Sequence, residues 1–371
     1  MTIWEEPLRL IRPALPEGHR IIVTSDIHGN IPYFRGLLEK LKYTEEDILI
    51  IDGDFLERGP DSLGLLREIM ALSRKGTVYT LCGNCDSWAD ILTNQDRFED
   101  SFYWVGRYVR MRRSGLLWNM LQEQNIAVTE DLDILDTIIR IQDAYREEWE
   151  FLRNLPVALD TPGYLYVHGG VRPDIPLEQQ NNGSCMKFDN FRARGYHFPK
   201  WVVVGHWPVM LYRSRCIDAS PLVDLRQKVI SIDGGCELER TGQLNAMVLP
   251  EFYSDAFSFE SYDPFPEKTA LDPQKPNKVS YYIRWGDNAV QVLKNEGEFS
   301  MCRHIRTGYT CEIPTSYLHA QEDGSYITRD YSDYRLDVEP GDRLRIVDET
   351  SRGVIAKKNG RVGWYMGALQ S

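Results

Sequence analysis

The first strong pattern in the chain is Arg20-Ile-Ile-Val-Thr-Ser25, a continuous apolar run with the length and β-branched content of a strand buried on both faces. The period then changes. Between residues 30 and 42, Phe34, Leu37, Leu38 and Leu41 recur at helical spacing and predict a helix that buries one side. Asp47-Ile-Leu-Ile-Ile51 predicts a second buried strand, residues 63–72 a helix, and Thr77-Val-Tyr-Thr-Leu81 a third strand. Strand candidates return at Tyr164-Leu-Tyr-Val167, Trp201-Val-Val-Val204, Lys228-Val-Ile-Ser-Ile232 and Asn245-Ala-Met-Val-Leu249. Strand–turn–helix alternation from residue 20 to about 250 implies a layered α/β domain.

Two stretches break this rhythm. Residues 87–155 are charged and helical in pattern, without strand signals, and are expected to form a helical insertion over a site. Residues 253–278 mix Pro, Asp, Ser and Lys without a period, which is linker composition. Beyond them come short strand-like runs punctuated by Gly and Asp. One ends Thr310-Cys-Glu-Ile-Pro-Thr-Ser-Tyr-Leu318; the other runs Val338-Glu-Pro-Gly-Asp-Arg-Leu-Arg-Ile346 and ends Gly363-Trp-Tyr-Met-Gly-Ala-Leu369. Both resemble SH3-like barrels. The expected organisation is the α/β domain over 1–252, a linker over 253–278, and an SH3-like β region over 279–371. That region reads as two tandem barrels, 279–320 and 325–371, with a peptide or protein as its expected ligand.

Composition narrows the class. In 371 residues, 42% are hydrophobic, enough for a sizeable core, yet no stretch reaches the roughly 18 apolar residues a membrane helix needs. Residues 1–20 hold no apolar run of signal-peptide type, so a cytoplasmic location is expected. Seven scattered cysteines argue against a disulfide framework; Cys82 and Cys85 form a C-x-x-C, but no second pair stands at zinc-site spacing. A net charge of −12 excludes broad binding to nucleic acid or to anionic membrane. A polyanionic substrate would need metal ions or a local group of arginines.

Five short motifs each begin where a strand candidate ends: Ser25-Asp-Ile-His-Gly-Asn30, Gly53-Asp-Phe-Leu-Glu-Arg-Gly59, Gly83-Asn-Cys-Asp86, Val167-His-Gly-Gly170 and Val204-Gly-His-Trp207. In layered α/β domains, ligand sites lie beyond the carboxyl ends of strands. Motifs placed there can converge from distant parts of the chain. Together they offer Asp26, His28, Asp54, Asn84, His168 and His206, a donor set suited to paired divalent ions such as manganese first, or iron or zinc. Asp54 is the natural bridging carboxylate. Taken singly, Asp26 and Asn84 could cap helices, and His168 and His206 could be packed core histidines. Jointly those readings lose weight, because three of only seven histidines fall in the motifs.

The five motifs, in this order over residues 20–250, resemble the calcineurin-like metallophosphoesterases. The similarity is to the phosphoprotein phosphatase branch, which includes bacterial diadenosine tetraphosphatase-like enzymes. The resemblance implies a four-layer αββα sandwich and a two-metal phosphoester hydrolase. Asp26, His28 and Asp54 would hold one ion, and Asp54, Asn84, His168 and His206 the other. Arg58 would bind the substrate phosphate, for which a guanidinium fork is suited, with Asn84 beside it. Two positions depart from the pattern: Cys85 stands where a histidine is usual and Glu57 where an aspartate is usual. In that family the histidine is thought to protonate the leaving oxygen, and a neutral thiol is a poor replacement.

Three functions follow as expectations. The leading one is a phosphomonoesterase of serine/threonine protein phosphatase type, acting on a phosphoprotein. The alternative is a hydrolase of dinucleoside polyphosphates or another phosphoanhydride. The third is a metal-holding scaffold of weak activity that works through its SH3-like region. Trp104-Val-Gly-Arg-Tyr-Val-Arg-Met-Arg-Arg113 is unusually basic for this chain. It reads first as a solvated helix face paired with Glu99 and Asp100, and second as a polyphosphate cradle using Arg107 and Arg110. Arg192 is a further candidate phosphate contact.

Overall fold

The computed structural model describes residues 3–88 and 98–370. The chain divides into two compact units: residues 1–208 with 221–263, and residues 209–220 with 264–371. Among the described residues, no helix is long and apolar enough to cross a membrane.

The first unit is built on two sheets. Its strands are β1 (Leu10–Ile11), β2 (Ile21–Thr24), β3 (Ile48–Asp52), β4 (Thr77–Leu81), β5 (Ala158–Asp160), β6 (Tyr164–Val167), β7 (Trp201–Val204), β8 (Leu222–Asp224), β9 (Val229–Ser231), β10 (Leu244–Leu249) and β11 (Ser258–Tyr262). One sheet has the order β11-β10-β2-β3-β4 and the other β1-β5-β6-β7-β9-β8. Strands β2, β3 and β4 run parallel, as do β6, β7 and β9. The period-2 alternation of side chains places each strand in two cores. Ile21, Val23, Ile48, Ile50, Tyr166, Val203 and Ile230 share one apolar cluster between the sheets. Their neighbours Ile22, Leu49, Ile51, Leu165, Val202 and Val229 belong to the cluster that takes in the helices. Each fully buried aliphatic side chain of this kind contributes about 1.5–3 kcal/mol.

Helix α1 (Ile31–Leu41) buries Phe34, Leu37 and Leu41, is capped by the Asn30 side chain and carries Pro32 in its first turn. Helix α2 (Ser62–Ser73) is capped by Asp61. The expected insertion is helical where it is described: α3 (Phe98–Met111), α4 (Leu116–Glu123), α5 (Ile134–Ala144) and α6 (Arg146–Arg153). It is tied to the rest of the unit by polar contacts. Asn119 Oδ1 accepts from the Ser62 backbone N–H at 2.8 Å, and Arg67 pairs with the largely buried Glu148 at 2.8 Å.

The second unit differs from the expected tandem. Its strands are β12 (Glu267–Ala270), β13 (Tyr282–Ile283), β14 (Ala289–Asn295), β15 (Phe299–His304), β16 (Thr310–Pro314), β17 (Leu318–Ala320), β18 (Tyr326–Thr328), β19 (Tyr331–Ser332), β20 (Arg343–Thr350), β21 (Gly353–Lys358), β22 (Arg361–Tyr365) and β23 (Leu369–Gln370). They form open sheets β16-β15-β14-β18-β17 and β22-β21-β20-β12-β23 with a small β13-β19 pair; no closed barrel is found among the described residues. The division expected near 320–325 falls inside one sheet, because β17 and β18 pair as a hairpin. The stretch read as linker carries two strands: β11 edges the first unit's sheet beside β10, and β12 pairs with β20. A cleft of about 320 Å³ in the second unit is lined by Phe299, Tyr331 and Trp364 with Arg352, Glu312 and Asp333 around it.

Candidate metal centre

Backbone bonds tie the loop after β2 to that after β3 and the loop after β6 to that after β7. The Asp26 N–H donates to Gly53 O (3.0 Å), His28 N–H to Asp54 O (3.1 Å) and Gly205 N–H to His168 O (3.0 Å). Asp26, His28, Asp54, Glu57, Arg58 and His206 all adopt positive φ, between 49° and 69°. For residues other than glycine this conformation costs about 1–3 kcal/mol each and concentrates at functional sites. Gly83 is required by close approach: a Cβ there would lie 2.2 Å from Asp54 Oδ1.

Four of the six expected ligands, His28, Asp54, His168 and His206, come together, with Cys85 among them. Asp54 is shared by two groups of donors. His28, Asp54 and Cys85 form one, and Asp54, His168 and His206 the other; within each, the donor atoms lie within 4.8 Å of one another. Asp26 belongs to neither tight group. Its carboxylate accepts from Ser25 Oγ (2.6 Å) and from the His206 backbone N–H, and its Oδ1 is 4.0 Å from His28 Nε2. Asn84 Oδ1 and His168 Nε2 are buried donor atoms without a hydrogen-bond partner, although His168 Nε2 lies 3.3 Å from Asp54 Oδ1.

Each histidine has one nitrogen engaged, which leaves the other for a ligand. His28 Nδ1 bonds Leu56 O (3.1 Å), His168 Nδ1 bonds Asp52 O (2.8 Å), and His206 Nε2 bonds Asp189 Oδ1 (2.8 Å). Metal-ligating histidines almost always have an orienting partner of this kind.

The electrostatics point the same way. Burial and the nearby Asp233 push the Asp26 carboxyl well above the usual carboxylate range. Burial opposes charge on Asp54, yet His168 and His28 hold it far below that range. Burial also opposes charge on His168, but Asp54 and Asp26 outweigh it and raise its pKa well above normal; burial brings His28 down to about 4. Asp52 and Asp233 are both pushed up to about 7, chiefly by burial. So much buried carboxylate calls for cations. The unpartnered donors, oriented imidazoles and shared Asp54 fit a pair of divalent ions.

Three contributors carried no role in the sequence reading. Asp86 accepts from the N–H groups of Asp54 (2.7 Å), Gly83 (2.8 Å) and Leu56 (3.0 Å), joining the second motif to the third. Asp233, in the turn after β9, and Asp189 are the others. Asp86 could have been found from its place inside a motif; Asp189 has no local signal.

Glu57 is turned away from the donors. Its carboxylate accepts from the Leu116 N–H at 2.9 Å, at the start of α4, and from the Tyr108 hydroxyl. Leu116 follows Gly115, whose φ is +91° and where a Cβ would lie 2.2 Å from Glu57 Oε2. Glu57 therefore fastens the insertion to the loop after β3. Arg58 is exposed, and its charge is felt by His28, Cys85 and Asp233. The other candidate arginines are occupied elsewhere. Arg110 binds the carbonyls of Thr129 and Glu130, Arg107 reaches Met111 Sδ, and Arg192 pairs with Asp224 at 3.2 Å. The side chains of the expected partners Glu99 and Asp100, and of Trp104, lie outside the described part of the structure.

Two donor groups sharing one buried carboxylate at strand ends, beside an arginine, define a metal-dependent phosphoester hydrolase. A model of the calcineurin-like phosphoesterase family matches residues 19–227, more than half of the chain, and the chain belongs to that family. Its members use a pair of divalent metal ions. Among curated proteins, the chain is 25% identical over 256 residues to the asymmetrical bis(5'-nucleosyl)-tetraphosphatase PrpE of Halalkalibacterium halodurans, spanning 62% of this chain and 89% of that protein. It is 24% identical over 257 residues to the PrpE of Bacillus subtilis, spanning 62% and 90%. A 60-residue stretch is 42% identical to the symmetrical bis(5'-nucleosyl)-tetraphosphatase of Wigglesworthia glossinidia brevipalpis, spanning 16% and 21%. Among solved structures, a cold-active protein-tyrosine phosphatase of a Shewanella species aligns with TM-score 0.41 and 16% identity, covering 69% of this chain and 83% of that one.

Proposed function

We propose that this chain hydrolyses a phosphoanhydride, with dinucleoside polyphosphates as the substrate class. The observation that carries this reading is that a cysteine, Cys85, and not a histidine follows Asn84 beside Asp54. Cys85 stands at the acid's position, and burial together with Asp54 pushes its thiol well above the ordinary range. Glu57 is committed to Leu116 and Tyr108. A site with so weak a proton donor favours a leaving group that departs as a stable anion, as a nucleoside phosphate does and a serine alkoxide does not. The names of the PrpE relatives, matched over about nine-tenths of their length, support the same class.

In this reading Asp26, His28, Asp54, Asn84, His168 and His206 hold the ions, as the sequence set them out. When bound, the ions would activate a water as nucleophile and stabilise the charge that develops on the phosphoryl group. Arg58 grips a non-bridging phosphate oxygen pair, and Asn84 lies beside it. The protein-phosphatase reading has no specific observation in its favour. Turnover of diadenosine tetraphosphate, a phosphoserine peptide and an aryl phosphate, measured side by side with manganese, cobalt or zinc, tests the choice. The dinucleotide is expected to show the highest kcat/KM; a phosphoserine peptide as the best substrate would overturn the proposal.

A further inference from the structure

Cys85 has the surroundings of a ligand. Its backbone N–H donates to Asp54 Oδ1 at 2.7 Å, which holds the main chain of residue 85 against the shared carboxylate. Its Sγ lies 3.2 Å from Asn84 Nδ2. The sulfur, a His28 ring nitrogen and an Asp54 oxygen lie within 4.8 Å of one another, just as Asp54, His168 and His206 do on the other side. Asp26 stands beside the same group, its Oδ1 4.0 Å from His28 Nε2, while its Oδ2 accepts from Ser25 and from the His206 backbone. Cys85 is half-buried, whereas Cys82, three residues earlier, is fully buried and faces Gly83 O. Only the second sulfur of the C-x-x-C therefore stands among the donors.

We propose that Cys85 is a direct ligand of the ion held by His28 and Asp54, making that position a His–Asp–Cys site that prefers thiophilic ions such as zinc, cobalt or iron(II) to manganese. The inference rests on the two-ion reading of the site and sharpens it. Thiolate is a soft donor, and a position supplying nitrogen, oxygen and sulfur discriminates against hard ions that favour all-oxygen surroundings. Binding breaks the S–H bond, the proton leaves to solvent, and the sulfur lone pair goes to the metal; nothing is oxidised or reduced. The other position, with Asp54, His168 and His206, has no sulfur. The two ions of one site would thus differ in preference.

The test loads the full-length protein with cobalt(II) and records metal content and absorption together. Wild type is expected to bind two ions and to show a near-ultraviolet thiolate-to-cobalt charge-transfer band. Cys85→Ser and Cys85→His are expected to keep two ions and lose that band. In Cys85→Ser, zinc affinity at one position should fall at least on the order of the 10–100-fold that loss of an outer-shell partner alone produces, with manganese affinity little changed. Zinc titrations in buffers of different ionisation heat should show one proton fewer released by Cys85→Ser. Two bound cobalt ions without the band, or a band that survives in both variants, would overturn the ligand assignment and leave the two-ion reading standing. Failure of wild type to bind cobalt, zinc or manganese would overturn both.

Discussion

Glu57→Gln isolates one buried acid and turns its position into a pH profile. The Glu57 side chain is 3% exposed, and burial pushes its pKa from the ordinary 4.5 up to about 7, against the opposing pull of the Leu116 N–H, Trp88, Arg112 and Arg58. A shift of that size corresponds to about 3 kcal/mol at 1.36 kcal/mol per unit. Because the folded state holds the proton more tightly, the contribution is fully present below about pH 4.5, where both states are protonated. It is lost as pH rises through about 7 and is constant above that. Glutamine keeps the shape and an acceptor for Leu116 but cannot ionise. Urea denaturation of both proteins at matched metal concentration, from pH 4.5 to 8, should therefore show the stability difference moving about 3 kcal/mol in favour of the variant. Subtracting the two curves cancels every other titrating group that the substitution leaves alone. A difference independent of pH would refute the claim that this carboxylate is shielded from water against α4.

Three further outcomes follow. Arg58→Ala should lower kcat/KM by about 10–100-fold, the worth of a charge-assisted phosphate contact, with metal content unchanged by elemental analysis. Asp86→Ala leaves the N–H groups of Gly83, Asp54 and Leu56 without their acceptor; it should cost at least about 2 kcal/mol in denaturant melts and loosen both ions in a metal titration. Arg192→Ala should leave KM for the best substrate within about twofold, because its guanidinium is paired with Asp224 and is not a phosphate contact.

What could be read from the sequence was whatever short-range pattern determines. Most strands that lead into the motifs are apolar runs buried on both faces, and β4 is rich in β-branched and aromatic residues, so β4, β6 and β7 were legible to the residue and α1 and α2 within one position. The short strands β1, β5 and β8 have two or three residues and too little pattern to register. β11 was hidden because an edge strand need bury little, and Ser258–Tyr262 is exposed or half-buried throughout. The motif residues announced the donors because their spacing reflects strand ends. The direction of the Glu57 side chain could not be read, since its partner Leu116 lies 59 residues further on. Likewise, nothing near Asp189 in sequence signals its bond to His206, 17 residues away. The left-handed backbone at Asp26, His28, Asp54 and His206 is also invisible in sequence, where none of these is glycine.

The shared carboxylate is tested most directly by counting ions. Metal titration followed by calorimetry and elemental analysis, on wild type and on folded Asp54→Asn, should give two ions for wild type. The variant should lose at least one ion, hold the other more weakly, and have no measurable turnover. A single ion in wild type, or two ions held at wild-type affinity by Asp54→Asn, would contradict a site organised around that residue.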